Sequence, residues 1–161
     1  MIRRSLFIVF AILVAMPALA LTPPWTAAGT TAVIDESSVP LYALTPPYLG
    51  YNATSVGLIT AYFNVTDTTA TAFPAWNTLE LSYFDNALPS QVAATLFRLD
   101  KCNGTAVALC TVTSVDASTT TCNRCRFTQL IDFTLYDYYI AATLYRNNNT
   151  VSPKLYGLRL F

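Results

Sequence analysis

From residue 51 onward, apolar and polar side chains alternate with a period of two. That period sends successive side chains to opposite faces of an extended strand, one toward a core and one toward solvent. Residues 55–65 place Ile59, Ala61, Phe63 and Val65 on one face, and residues 78–84 set Leu79, Leu81 and Tyr83 against Glu80 and Ser82. The pattern continues through residues 92–99, 106–115, 126–133, 138–146 and 155–161. Seven strands separated by turn-forming stretches predict an all-β fold. The expected architecture is an antiparallel β-sandwich, jelly-roll or immunoglobulin-like, of about seven to eight strands. A small membrane barrel of alternating strands fits less well, because Tyr156, Leu158 and Leu160 are out of phase with the terminal Phe161.

Two of these strands echo one another: residues 93–98 read A-A-T-L-F-R and residues 141–146 read A-A-T-L-Y-R. The match predicts equal environments, with Val92, Ala94 and Leu96 facing the core in one and Ile140, Ala142 and Leu144 in the other. Phe97, Tyr139 and Tyr145 then point outward and are candidates for a contact surface.

Residues 21–50 differ in character. L-T-P-P-W at 21–25 returns as L-T-P-P-Y at 44–48, with two short candidate strands, 31–34 and 41–44, between. Paired prolines keep a chain extended and cannot donate ladder hydrogen bonds. The segment reads as a Pro-containing extended arm that packs along its own domain, residues 51–161, or docks on a neighbouring subunit. Ahead of it, Arg3 and Arg4 precede an apolar run, and Ala18 and Ala20 supply the small residues a signal peptidase needs. Residues 1–20 therefore predict a secretory signal peptide cleaved after Ala20. The product would be secreted, extracellular or held in the cell envelope (the periplasm, in a bacterium), with no membrane insertion after cleavage.

Export changes how the cysteines are read. Cys102, Cys110, Cys122 and Cys125 are most simply two disulfides in an oxidising compartment. A hairpin turning over residues 116–119 places Cys110 across from Cys125, the favoured bridge. Local pairing, Cys102 with Cys110 and Cys122 with Cys125, is the rival. The C-N-R-C run sits in strand sequence rather than at a helix start, so it lacks the dipole that activates a redox thiol. Four Asn-x-Ser/Thr triplets, at Asn52, Asn64, Asn103 and Asn148, are candidate glycosylation sites.

Absences narrow the chemistry further. The chain has no histidine, which removes histidine-based nucleophile systems and histidine-ligated metals. Asp85, Asp132 and Asp137 could supply paired carboxylates, yet each lies near a turn, where aspartate commonly serves the backbone. No catalytic residue, metal site or cofactor is expected. Lys and Arg are scattered singly along the sequence, which argues against nucleic-acid binding. What remains is an exported non-catalytic β-sandwich acting through protein contacts, including self-association in an assembly. The alternative is a carbohydrate-binding module that stacks sugars on Trp25, Trp76, Phe97, Tyr139 or Tyr145. Two or three coplanar exposed rings would favour the second reading.

Overall fold

The computed structural model describes residues 22–68 and 72–161. The predicted signal peptide lies outside the described residues. In chain order the strands are β1 (Trp25–Ala28), β2 (Val33–Ile34), β3 (Tyr42–Thr45), β4 (Tyr48–Tyr51), β5 (Gly57–Val65) and β6 (Thr78–Asp85). They continue with β7 (Gln91–Asp100), β8 (Ala106–Thr113), β9 (Ala117–Arg126), β10 (Tyr136–Arg146) and β11 (Lys154–Leu160). One sheet runs β3-β4-β11-β6-β9, with β1 also pairing β11; the other runs β2-β5-β10-β7-β8. Every pairing is antiparallel, and the two sheets form a sandwich.

The period-two pattern explains the packing. The five-stranded sheet turns Ile59, Ala61 and Phe63, Val92, Ala94 and Leu96, and Ile140, Ala142 and Leu144 inward, all buried. The other sheet answers with Leu49, Leu79, Leu81, Tyr83, Leu155, Leu158 and Leu160. Between them these side chains make one core, the dominant source of stability in a fold of this kind. The echoed segments are spatial neighbours: β7 and β10 pair with Ala94 opposite Ala142 and Leu96 opposite Ile140. One end of the sandwich is closed by aromatic side chains. Trp76 meets Phe133 edge-to-face at 6.2 Å, and Phe133 meets Tyr138 at 5.2 Å. The Trp76 indole nitrogen donates to the Pro23 carbonyl, 3.0 Å away, satisfying its one polar atom.

Three expectations change. Residues 22–50 pack along their own domain, the first of the two expectations, but as strands of its sheets rather than as an arm: β1, β3 and β4 belong to one sheet and β2 to the other. Paired prolines flank these short strands without preventing their pairing. No strand forms over 126–133: the strand nearest it is β9, which starts nine residues earlier at Ala117, and residues 127–135 cross the end of the sandwich outside any strand. Phe127 and Ile131 are buried there as separate anchors, which imitated a strand's inward face. The third change concerns the cysteines. Cys110 and Cys125 are bonded, with Cα atoms 6.0 Å apart, but Cys102 and Cys122 are free and exposed. The pairing is also not that of a hairpin. β8 and β9 are edge strands of different sheets, so the bridge fastens the two sheets together along one side.

The chain passes from β1 to β2 at Gly29, which is pressed against β11. A Cβ at this position would lie 2.1 Å from the Leu155 carbonyl oxygen. We expect Gly29→Ala to cost about 1–3 kcal/mol through forced backbone movement. Urea unfolding measures it, and an unchanged midpoint would contradict the close approach.

The bridge closes a separation of 15 residues. Its loss in a Cys110→Ala, Cys125→Ala variant should remove about 2–4 kcal/mol. Cys102→Ala and Cys122→Ala should leave the melting temperature near that of the parent, and the folded parent should titrate as two thiols. Fewer reactive thiols would indicate a second bridge.

Candidate functional site

The outer face of the five-stranded sheet carries the aromatic residues that alternation sends to solvent. Strand β10 sits at its centre, and the pairings set the side chains in rows. Asn64, Tyr139 and Phe97 form one row across β5, β10 and β7, and Tyr62, Ala141 and Thr95 form the next. Beyond Tyr139, Asp137 pairs with Leu99, beside Thr66 just past the end of β5. Tyr139 and Phe97 stack at 5.0 Å with an interplanar angle of 11°, while Tyr62 meets Tyr139 at 6.3 Å and 61°. A parallel pair with a tilted third ring is a wall rather than a flat platform. The coplanar arrangement expected of a simple sugar-stacking surface is not formed.

What forms is an open groove of about 610 Å³ between the ends of β5 and β10. Tyr62 and Tyr139 are its apolar sides, and Asn64, Thr66 and Asp137 bring amide, hydroxyl and carboxylate groups to it. The Asp137 carboxylate lies 3.6 Å from the Lys101 ammonium, which also donates to the Phe133 carbonyl at 2.7 Å. Tyr138 reaches the groove from beneath. Burial raises its phenol above the ordinary tyrosine value, and its oxygen accepts a hydrogen bond from the Asp132 backbone N–H at 2.9 Å. The arrangement offers hydrogen bonds beside apolar ring surface, which suits a polyhydroxylated ligand.

The candidates named from the sequence divide sharply. Phe97 and Tyr139 meet on this face, and Tyr145 shares it two rows past Ala141, 41 % exposed. Trp25 and Trp76 do not: both are buried, Trp25 in the core opposite Leu160 and Trp76 in the aromatic end plug. Neither can act as a surface platform. Tyr62 went unnamed, although the alternation that turned Ala61 and Phe63 inward already sent it outward.

Of the glycosylation candidates, Asn52 and Asn103 are exposed in turns, and Asn148 is half-buried in the turn after β10. The Asn103 side-chain oxygen accepts from the Thr105 N–H at 2.8 Å, and that of Asn148 accepts from the Thr150 N–H at 3.0 Å. Asn64 differs, because it stands inside the groove beside Thr66. A glycan attached there would fill the groove.

The three aspartates do not meet at one place. Asp85 is buried at the end of β6, where the hydroxyls of Ser90 and Ser114 donate to its two oxygens. Asp132 and Asp137 lie at the other end of the sandwich. Asp132 caps its own turn, accepting from the N–H and hydroxyl of Thr134, and the hydroxyl contact chiefly lowers its pKa. Among the described residues no group of three His, Cys, Asp or Glu side chains could hold a metal ion. No helix among them is long and apolar enough to cross a membrane.

No family model and no curated protein matches the chain. Solved structures give low likenesses. A family 11 carbohydrate-binding module from Clostridium thermocellum, in complex with a β-1,3-1,4-mixed-linked tetrasaccharide, is similar at a TM-score of 0.46 and 9% identity, covering 90% of this chain and 91% of that one. TmCBM61, in complex with β-1,4-galactotriose, gives 0.43 at 10% identity, covering 88% and 89%. A family two carbohydrate esterase from Cellvibrio japonicus gives 0.45 at 10% identity over 86% of this chain, which spans only 33% of the esterase. None of these likenesses reaches a TM-score of 0.5.

Proposed function

We propose that this protein is an exported, non-catalytic β-sandwich that binds carbohydrate in the groove beside Tyr62 and Tyr139. The observation that supports it is the meeting of two aromatic side walls with Asn64, Thr66 and Asp137 in one open depression. A sugar presents both chemistries, an apolar ring face and a rim of hydroxyls, and needs both from its site. Asp137 would accept from sugar hydroxyls and Asn64 would donate or accept. The groove is wide and open, which suits one or two units of an oligosaccharide chain.

A second reading keeps the protein-contact role. Leu58 and Tyr145 are cross-strand neighbours on the same face, 52 % and 41 % exposed, and Val33 at the sheet edge is 65 % exposed. That apolar strip favours association with a protein partner or a second copy.

The experiment is a screen of the purified chain against neutral oligosaccharides, followed by calorimetry with whichever binds. We expect Tyr139→Ala and Asn64→Ala each to weaken binding about tenfold or more, and Tyr145→Ala to change it little. Binding that survives both groove variants would move the site elsewhere. No binding by any neutral sugar, together with a dimer in light scattering that Leu58→Asp dissolves, would replace this reading with the protein-contact one.

A further inference from the structure

The outer face of the other sheet has a different character. Nine Lys and Arg residues occur in the chain; Arg3 and Arg4 precede the described residues, and Arg146 is buried. Of the six that remain, Arg124, Arg126, Lys154 and Arg159 share this one face. Cys125 turns inward to its disulfide, so Arg124 and Arg126 on either side of it turn outward. Lys154 pairs with Phe84 and Arg159 with Glu80, both outward positions of β6. Side chains scattered singly in sequence thus become a basic surface, and Glu80 is the acidic residue set among them.

Three of these cations, Arg124, Lys154 and Arg159, are held in place by aromatic rings. The Lys154 ammonium lies 4.6 Å from the centroid of Tyr48 and 5.4 Å from that of Phe84, and Tyr156 packs against Tyr48 at 5.5 Å. At the other end, the guanidinium groups of Arg159 and Arg124 lie 4.6 and 5.6 Å from the Phe161 centroid. Arg124 also pairs with Glu80 at 2.6 Å. Arg126, Lys154 and Arg159 make no salt bridge among the described residues. For Lys154 and Arg159, cation–π contact restrains the side chain while leaving its charge available, so less entropy is lost when an anion binds.

Between the two clusters lies a hollow of about 150 Å³ over Ser82 and Gly157, where no bulky side chain rises from the sheet. The clusters are four residues apart along β6, or about 13 Å. A single small anion cannot touch both. The ligand must therefore be extended and carry negative groups at intervals.

We propose that this face binds a polysaccharide bearing sulfate or carboxylate groups, lying across the Ser82–Gly157 hollow with its anionic groups toward Lys154 at one end and Arg159 at the other. Its chemistry distinguishes it from other polyanions. Single-stranded nucleic acid gains affinity by stacking bases on open ring faces, and here the rings of Tyr48, Phe84 and Phe161 are engaged by the protein's own cations. A peptide strand gains it from main-chain hydrogen bonds at a sheet edge, whereas β6 and β11 are paired on both sides. Pendant oxyanions and hydroxyls are what this surface can read. The site is separate from the aromatic groove and does not depend on it.

The test measures affinity of the full chain for heparin, desulfated heparin, polyglutamate and single-stranded DNA, at about 0.15 M salt and above. Heparin should bind best and weaken steeply as salt rises, as charge-driven association does. Lys154→Gln with Arg159→Gln should weaken it about tenfold or more, with the circular dichroism spectrum unchanged, and each single variant should give a smaller loss. Tyr139→Ala, on the opposite face, should leave heparin binding intact. No heparin binding at the lower salt, equal binding by the double and single variants and the parent, or DNA or polyglutamate binding as tightly as heparin would each overturn the proposal.

Discussion

Strand β10 governs the five-stranded sheet. It pairs with β5 from Tyr138 to Arg146 and with β7 from Tyr136 to Tyr145, so its register fixes both neighbours at once. A slip of one residue would turn Ile140, Ala142 and Leu144 to solvent and bury Tyr139 and Tyr145. The groove exists only in the observed register, because Asn64, Tyr139 and Phe97 form a row through the same pairings that bury Ile140. Stability and surface chemistry are therefore one constraint. Arg146 ends the strand by fastening it: its buried guanidinium donates to the carbonyls of Ser55, Asn52 and Val151 and stands 4.3 Å from the Tyr51 ring centroid. Burial lowers its pKa, and the carbonyl acceptors supply the polar contacts that water would otherwise give.

The fold was largely legible in the sequence because strands buried on one face advertise their period. β5, β6, β7, β10 and β11 fall where alternation places them. β9 does not advertise itself. It is an edge strand with Thr119, Thr120 and Cys122 exposed, so the inward residues that would mark it are few. Residues 21–50 misled for a related reason. Their strands are two to four residues long, below the length at which a period can be counted, and the prolines beside them suggested an excluded segment. A hairpin predicts the Cys110–Cys125 bond, but the two residues meet across sheets rather than across a hairpin ladder. The chain does double back between β8 and β9, but it changes sheets as it does so.

The site was less legible, because aromatic residues serve core and surface alike. Tryptophan drew attention as the natural sugar platform, and both tryptophans are consumed by packing. Composition alone cannot separate Trp76, whose nitrogen is satisfied by Pro23, from a ring held out to a ligand. Phe97 and Tyr139 could be assigned because they lie in strands whose inward face was clear. The basic face was invisible for a different reason. Arg124 lies on β9 and Lys154 and Arg159 on β11, two segments that only the strand order β11-β6-β9 brings together. A search along the sequence for a basic run has no means of finding charge gathered across strands.

The two outer faces differ in kind and look in opposite directions. One bears a groove of aromatic and neutral polar groups with Asp137 at its end; the other bears four cations, three of them restrained by rings. Sheets in a sandwich stand about 10 Å apart with a packed core between them, so the sugar units held on one face do not touch the other. A rigid core also gives little means for occupancy on one side to alter the other. Two such faces acting independently could engage two stretches of one mixed polysaccharide, or two separate polymers. In either case the gain would come from effective concentration rather than from any change of shape. The inter-sheet disulfide suits that arrangement. By fastening β8 to β9 it resists a parting of the sheets along that side.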